Sequence, residues 1–64
     1  MYEFLEPGMF VTHPRQPDWG RGQVQSRIGA RITVNFENAG KVVIDGTQVD
    51  LHILSDLDIL KGRL

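Results

Sequence analysis

The sequence predicts an all-β domain made of short strands, and three observations predict it. The run Arg31-Ile32-Thr33-Val34-Asn35-Phe36 puts Ile32, Val34 and Phe36 on one face and Arg31, Thr33 and Asn35 on the other, the two-residue period of a half-buried strand. Turn-forming glycine, proline and asparagine bound this run and its neighbours at short intervals. The third observation is size: 64 residues make one small domain, whose single core rarely supplies more than about 3–5 kcal/mol.

Residues 1–7 show no clear period and read as an N-terminal arm, with Pro7-Gly8 as the turn into the ordered domain. Met9-Phe10-Val11-Thr12-His13 is rich in β-formers and stops at Pro14, which cannot donate a ladder hydrogen bond, so it is the first strand. Residues 13–24, HPRQPDWGRGQV, then form a constrained arch. Pro14 and Pro17 fix their own φ and hold His13 and Gln16 extended, while Gly20 and Gly22 permit angles closed to other residues. Trp19, the only tryptophan, sits among them.

Residues 23–28 form the second strand and residues 31–36 the third, joined by Gly29-Ala30, a link short enough only for an antiparallel return. Glu37-Asn38-Ala39-Gly40 turns the chain into a fourth strand over residues 41–45, with Asn38 and Gly40 expected to carry positive φ. After a turn or a single helical turn over residues 46–49, Leu51-His52-Ile53-Leu54 is a short closing strand. Ser55 is placed to cap a short helical turn or tail over residues 55–64.

Five short strands in so small a domain favour closure, because closure protects edges that an open sheet leaves unpaired; the predicted architecture is a small SH3-like barrel over residues 8–54. Its inward residues are Val11, Val24, Ile28, Ile32, Val34, Phe36, Val42 or Val43, Ile44, Leu51 and Leu54. Adjacent Val42 and Val43 leave the face of the fourth strand open.

Composition narrows the function. Cysteine is absent, so no disulfide or thiolate metal site supplements the core and no oxidising compartment is implied. The N-terminal stretch carries Glu3 and Glu6 without a basic residue, and apolar runs are short, which fits neither a signal peptide nor a membrane span; a cytoplasmic protein is expected. The net charge of −1 argues against binding nucleic acid mainly by phosphate neutralisation. Its distribution is uneven, however. Arg15, Arg21, Arg27, Arg31 and Lys41 face only Asp18 and Glu37 in the middle of the chain, whereas the flanks are acidic, so the middle is expected to prefer an acidic partner surface.

The run Gly8-Met9-Phe10-Val11-Thr12-His13-Pro14, followed by Trp19-Gly20-Arg21-Gly22-Gln23-Val24, Ile32-Thr33-Val34-Asn35-Phe36 and Gly40-Lys41, resembles the Tudor-like RNA polymerase-interacting module. That module occurs in UvrD/PcrA-type helicases and CarD-type transcription regulators, and the nearest resemblance is to stand-alone bacterial proteins of about this length classed as a domain of unknown function. The likeness covers residues 8–54. The segment Arg15-Gln16-Pro17-Asp18 is longer than the usual link between His-Pro and the aromatic-glycine pair. The resemblance implies a Tudor-like barrel that docks on the RNA polymerase β subunit, or on a transcription or repair factor, through exposed strand backbone, with Lys41 after Gly40 at the contact. No helicase motor is present to carry over.

Individual residues admit more than one reading. His13 can brace the arch by hydrogen bonds or titrate as a switch, and bracing is favoured. Trp19 can stack on a partner or fold over the core. Arg21, Arg27, Arg31 and Lys41 lie on or beside polar strand positions and form either a partner-binding patch or an ordinary solvated face. His13, Pro14, Gly20, Gly22 and Gly40 are expected to define the fold. Gly20 and Gly22 lack the following lysine and helix of a phosphate loop, so no nucleotide or other cofactor is implied. The aromatics are too few for a methyl-lysine cage.

His13 and His52 are the only histidines, Ser26 and Ser55 have no identifiable base, and the acids Asp56 and Asp58 suit a helix start. A non-enzymatic interaction module without a metal site is therefore expected, the alternative being a small nucleic-acid-binding barrel in which Trp19 stacks and Arg15, Arg21, Arg27 and Arg31 meet phosphates, and a third reading a structural module that acts only inside a homo-oligomer.

Overall fold

The computed structural model describes residues 2–54. Its strands β1 (Phe10–Thr12), β2 (Gly22–Ile28), β3 (Arg31–Phe36), β4 (Gly40–Asp45) and β5 (His52–Ile53) form one antiparallel sheet in the order β4-β3-β2-β1-β5. Single 3-10 turns at Tyr2–Phe4 and Pro17–Trp19 are the only helical pieces among the described residues. The fold is thus all-β, as the alternation in β3 requires. The ladder is not closed, however: among the described residues β4 ends the sheet on one side and β5 on the other. The helix start expected at Ser55 lies outside the described residues.

The core gathers on one face of the sheet. Val11, Val24, Ile32, Val34, Phe36, Ile44 and Leu51 are buried together, while Leu54 is only half-buried. Pairing of Val34 with Val42 and of Ile32 with Ile44 assigns Val42 and Ile44 to the inner face, and Val43 points outward at 60% exposure. Leu5, which the sequence pattern did not place in the core, is 2% exposed and completes it. The first turn is packed closely as well, since a Cβ on Gly46 would meet Tyr2 Cβ at 2.5 Å. Residues 2–5 therefore close over one end of the core.

Ile28 was expected inside and is 75% exposed. The cause is a β-bulge in β2: Val24 pairs with Val34 and Ser26 with Thr33, which leaves Gln25 as an extra residue. One unpaired residue reverses which face every later side chain occupies. Beyond the bulge Arg27 stands opposite Ile32 on the core side, and Ile28 stands opposite Arg31 on the outer side. The Arg27 guanidinium then reaches the end of the core, donating from Nε to Leu5 C=O at 2.9 Å and from Nη1 to Gly29 C=O at 3.1 Å.

Before the bulge, β2 is paired on both sides. Gly22 faces Val11 on β1 and Phe36 on β3, and a Cβ there would lie 2.5 Å from Val34 Cγ1 and 2.7 Å from Phe36 Cδ1. Only a residue without a side chain lets the two neighbours meet there. Gly22→Ala is expected to lower unfolding free energy by roughly 1–3 kcal/mol through overpacking. In the same denaturation assay Ile32→Ala costs about 2–5 kcal/mol, whereas Ile28→Ala stays within about 0.5 kcal/mol of the parent. Equal losses at Ile28 and Ile32 would contradict the reversal of faces across the bulge.

Candidate interaction surface

The arch is fastened to the β3–β4 turn by backbone and side chain together. Gly20 adopts φ +77, which brings its neighbours against Glu37 and Asn38. Asn38 N–H donates to Trp19 C=O at 3.0 Å, Asn38 Nδ2 to Asp18 C=O at 2.9 Å, and Glu37 N–H to Arg21 C=O at 2.9 Å. Glu37 Oε1 in turn accepts from the Arg21 backbone N–H at 2.8 Å and from Arg21 Nε at 3.3 Å. The Arg21 backbone hydrogen bond, then the side-chain one, holds the Glu37 carboxyl below its usual range. Asn38 was expected to carry positive φ; among the described residues none other than glycine does, and Gly40 alone takes that role in this turn, at φ +73. The Asn38 side chain is used for the arch instead.

Trp19 lies half-buried against the core, its ring 5.2 Å from Phe36 and 4.9 Å edge-to-face from His13. His13 is 8% exposed, and its Nδ1 accepts from the Arg15 N–H at 3.1 Å. Burial, and secondarily the charge of Arg15, pushes its pKa below the ordinary imidazole value. Pro14 stays exposed at the start of the arch, and Gln16 N–H closes the turn on His13 C=O at 3.2 Å. Arg15 Nη2 donates to Gln48 C=O at 3.2 Å, tying the arch to the loop before β5.

The predicted partner-binding residues accordingly separate. Trp19 packs on the core, Arg21 is held by Glu37, and Arg27 is held by the N-terminal segment. Arg31 and Lys41 remain exposed on the outer face of β3 and β4, beside Ile28 and Val43. The apolar part of this surface was missed in the sequence; Val43 on an edge strand was the available signal, while Ile28 needed knowledge of the bulge.

The free edge of β4 has a definite pattern. Gly46 N–H donates to Ala30 C=O at 2.8 Å, just beyond the Arg31–Asp45 pair. Bonded and non-bonded pairs alternate along an antiparallel ladder. Val42 and Ile44 therefore turn their main-chain groups toward β3, and Lys41, Val43 and Asp45 turn theirs away. The Asp45 C=O is taken by the N–H groups of Gln48 and Val49, each at 3.0 Å. The Asp45 carboxylate accepts from the Thr47 hydroxyl at 2.6 Å and N–H at 2.9 Å, and the hydroxyl bond first, then the backbone bond, lowers its pKa. What remains along the edge is three N–H groups and the carbonyls of Lys41 and Val43.

Among the described residues no group of histidines and acids could hold a metal ion, and no helix is long and apolar enough to cross a membrane. A family model described as Protein of unknown function (DUF3553) matches residues 5–54, more than half of the chain. No curated protein and no solved structure matches it.

The His13 site has a pH signature. With the folded-state pKa lowered, the unfolded chain binds the proton first, so stability is full above the ordinary imidazole value of about 6.5 and declines as pH falls through it toward the folded-state pKa. A denaturation midpoint followed by Trp19 emission is expected to fall from pH 7.5 to 5.5, and to fall less in His13→Gln. Parallel slopes for the two proteins would assign the pH dependence elsewhere.

Proposed function

The chain belongs to the family of unknown function matched over residues 5–54, and from its own surface we propose that it is a non-enzymatic interaction module that docks on RNA polymerase or an associated transcription or repair protein. In this reading the five-stranded sheet is coiled as an SH3-like, Tudor-like barrel. The strand order, the double pairing of β2 and the bulge that bends it support that shape. The observation that carries the function is the β4 edge, paired on one side only among the described residues and lined by exposed Lys41 and Val43. A strand of the partner adds to this edge by main-chain hydrogen bonds, while Lys41 favours an acidic group and sets register; Arg31 stands on β3 opposite Asp45, at the other end of the strand.

The β subunit of RNA polymerase is the partner the sequence resemblance implies. The nucleic-acid reading draws less support, because Trp19 packs against Phe36 and His13, and Arg21 and Arg27 already have protein partners. Salt separates the two, since phosphate contacts give an affinity that falls steeply with ionic strength.

The test is a pull-down from bacterial lysate with the tagged chain, read for polymerase subunits and followed by titration with purified polymerase. Capture of the β subunit is expected, weakened several-fold by Lys41→Glu. Recovery of no polymerase subunit, or equal capture by the charge-reversed variant, would count against the proposal.

A further inference from the structure

The β4 edge, open among the described residues, is also self-complementary. Its outward side chains are Lys41, Val43 and Asp45, a cation and an anion placed symmetrically about an exposed valine. If a second β4 runs antiparallel beside the first with Val43 at the twofold axis, Lys41 stands opposite Asp45 in both directions and Val43 stands opposite Val43. Val42 faces Ile44 on the inner side. The main chain fits the same register: the Val43 N–H groups meet the facing Val43 carbonyls, and the Asp45 N–H groups meet the facing Lys41 carbonyls. The Lys41 N–H groups face the Asp45 carbonyls, which already accept from Gln48 and Val49, so the register gains four main-chain bonds and leaves the Lys41 N–H groups to share those carbonyls or meet solvent.

Other features of β4 agree. Natural edge strands are usually blunted by proline, a bulge or an inward charge. The β3–β4 register runs unbroken from Gly40 to Asp45, the strand contains no proline, and its centre is Val42-Val43-Ile44. The opposite edge, β5, is only two residues long. We infer that the β4 edge pairs with the β4 edge of a second copy of this chain, giving a twofold-symmetric dimer with one continuous sheet.

The inference goes beyond the docking function and bears on its regulation. The dimer covers the strand on which the proposed partner would add, so self-association and docking exclude each other. Because the Lys41–Asp45 pairs lie at the surface, added salt weakens the dimer. The apolar contact is small, and the association is correspondingly concentration-dependent.

Charge exchange tests the register. Lys41→Glu leaves two acids facing each other across the axis, and Asp45→Lys leaves two lysines, so each purified variant is expected to sediment as a monomer where the parent is a dimer. Mixed in equal amounts, the two variants form a heterodimer with every pair of opposite sign. Asp45→Lys gives up the bonds from Thr47, so Val43→Lys serves as a second disruptor whose outward side chain leaves the core untouched. In the parent, exchange of the Val43 and Asp45 amide protons is expected to slow by about tenfold or more between dilute and concentrated solution.

A parent that remains monomeric at every concentration overturns the inference, as does a dimer unaffected by these substitutions. These measurements use the purified chain alone. A dimer that captures no polymerase refutes only the docking proposal, and a monomer that captures polymerase refutes only this one.

Discussion

The constraint on which most of this structure depends is the extra residue at Gln25 in β2. Before it, Gly22 and Val24 contribute to the buried face between β1 and β3. After it, the parity of the strand is reversed, so Arg27 rather than Ile28 lies over the core side. Arg27 tethers the carbonyl of Leu5, and the buried Leu5 closes the core. An uninterrupted strand would send Ile28 inward and Arg27 into solvent, leaving the N-terminal segment without its anchor. A single unpaired residue thus decides both which apolar groups are buried and which remain on the outer surface.

The arch acts as a second fastening. Its two prolines and Gly20 carry the chain from β1 to β2, while its carbonyls receive the N–H groups of the β3–β4 turn. Trp19 fills the space between His13 and Phe36, so the bulkiest side chain is used for cohesion rather than display. Lys41, Val43 and Asp45 are left as the outward groups along β4, with Arg31 on β3 opposite Asp45. The division between fastening and display follows from the sheet order, which buries β2 between two partners and, among the described residues, leaves β4 with one.

Much of this was legible in the sequence. The five strands could be placed because β3 alternates cleanly and because Pro14, Gly29 and Gly40 mark turns by their own stereochemistry. Bulges leave no comparable mark: Gln25 and Ser26 are ordinary strand residues, and their pairing depends on a partner strand. The burial of Leu5 was likewise invisible, since a lone leucine in a segment without period acquires meaning only once Arg27 and the core end are in place. Choosing between Val42 and Val43 required the β3 register. Of the proposed interaction residues, the charges of Arg21 and Arg27 were plain in the sequence, but whether Glu37 or a backbone carbonyl already held them was decided by tertiary structure.

The pairing of β1 with β5 has a kinetic consequence. Val11 meets Ile53 and Thr12 meets His52, so this ladder joins segments far apart in the chain, whereas β2, β3 and β4 are successive hairpins. Loop-closure entropy makes the local hairpins the cheaper first contacts and the β1–β5 ladder the late one. The β2–β3–β4 meander is therefore able to form before the β1–β5 ladder closes. Until the ladder closes, the apolar face of the meander lacks the cover that the chain around β5 brings, so the β1–β5 pairing is the contact that completes the core.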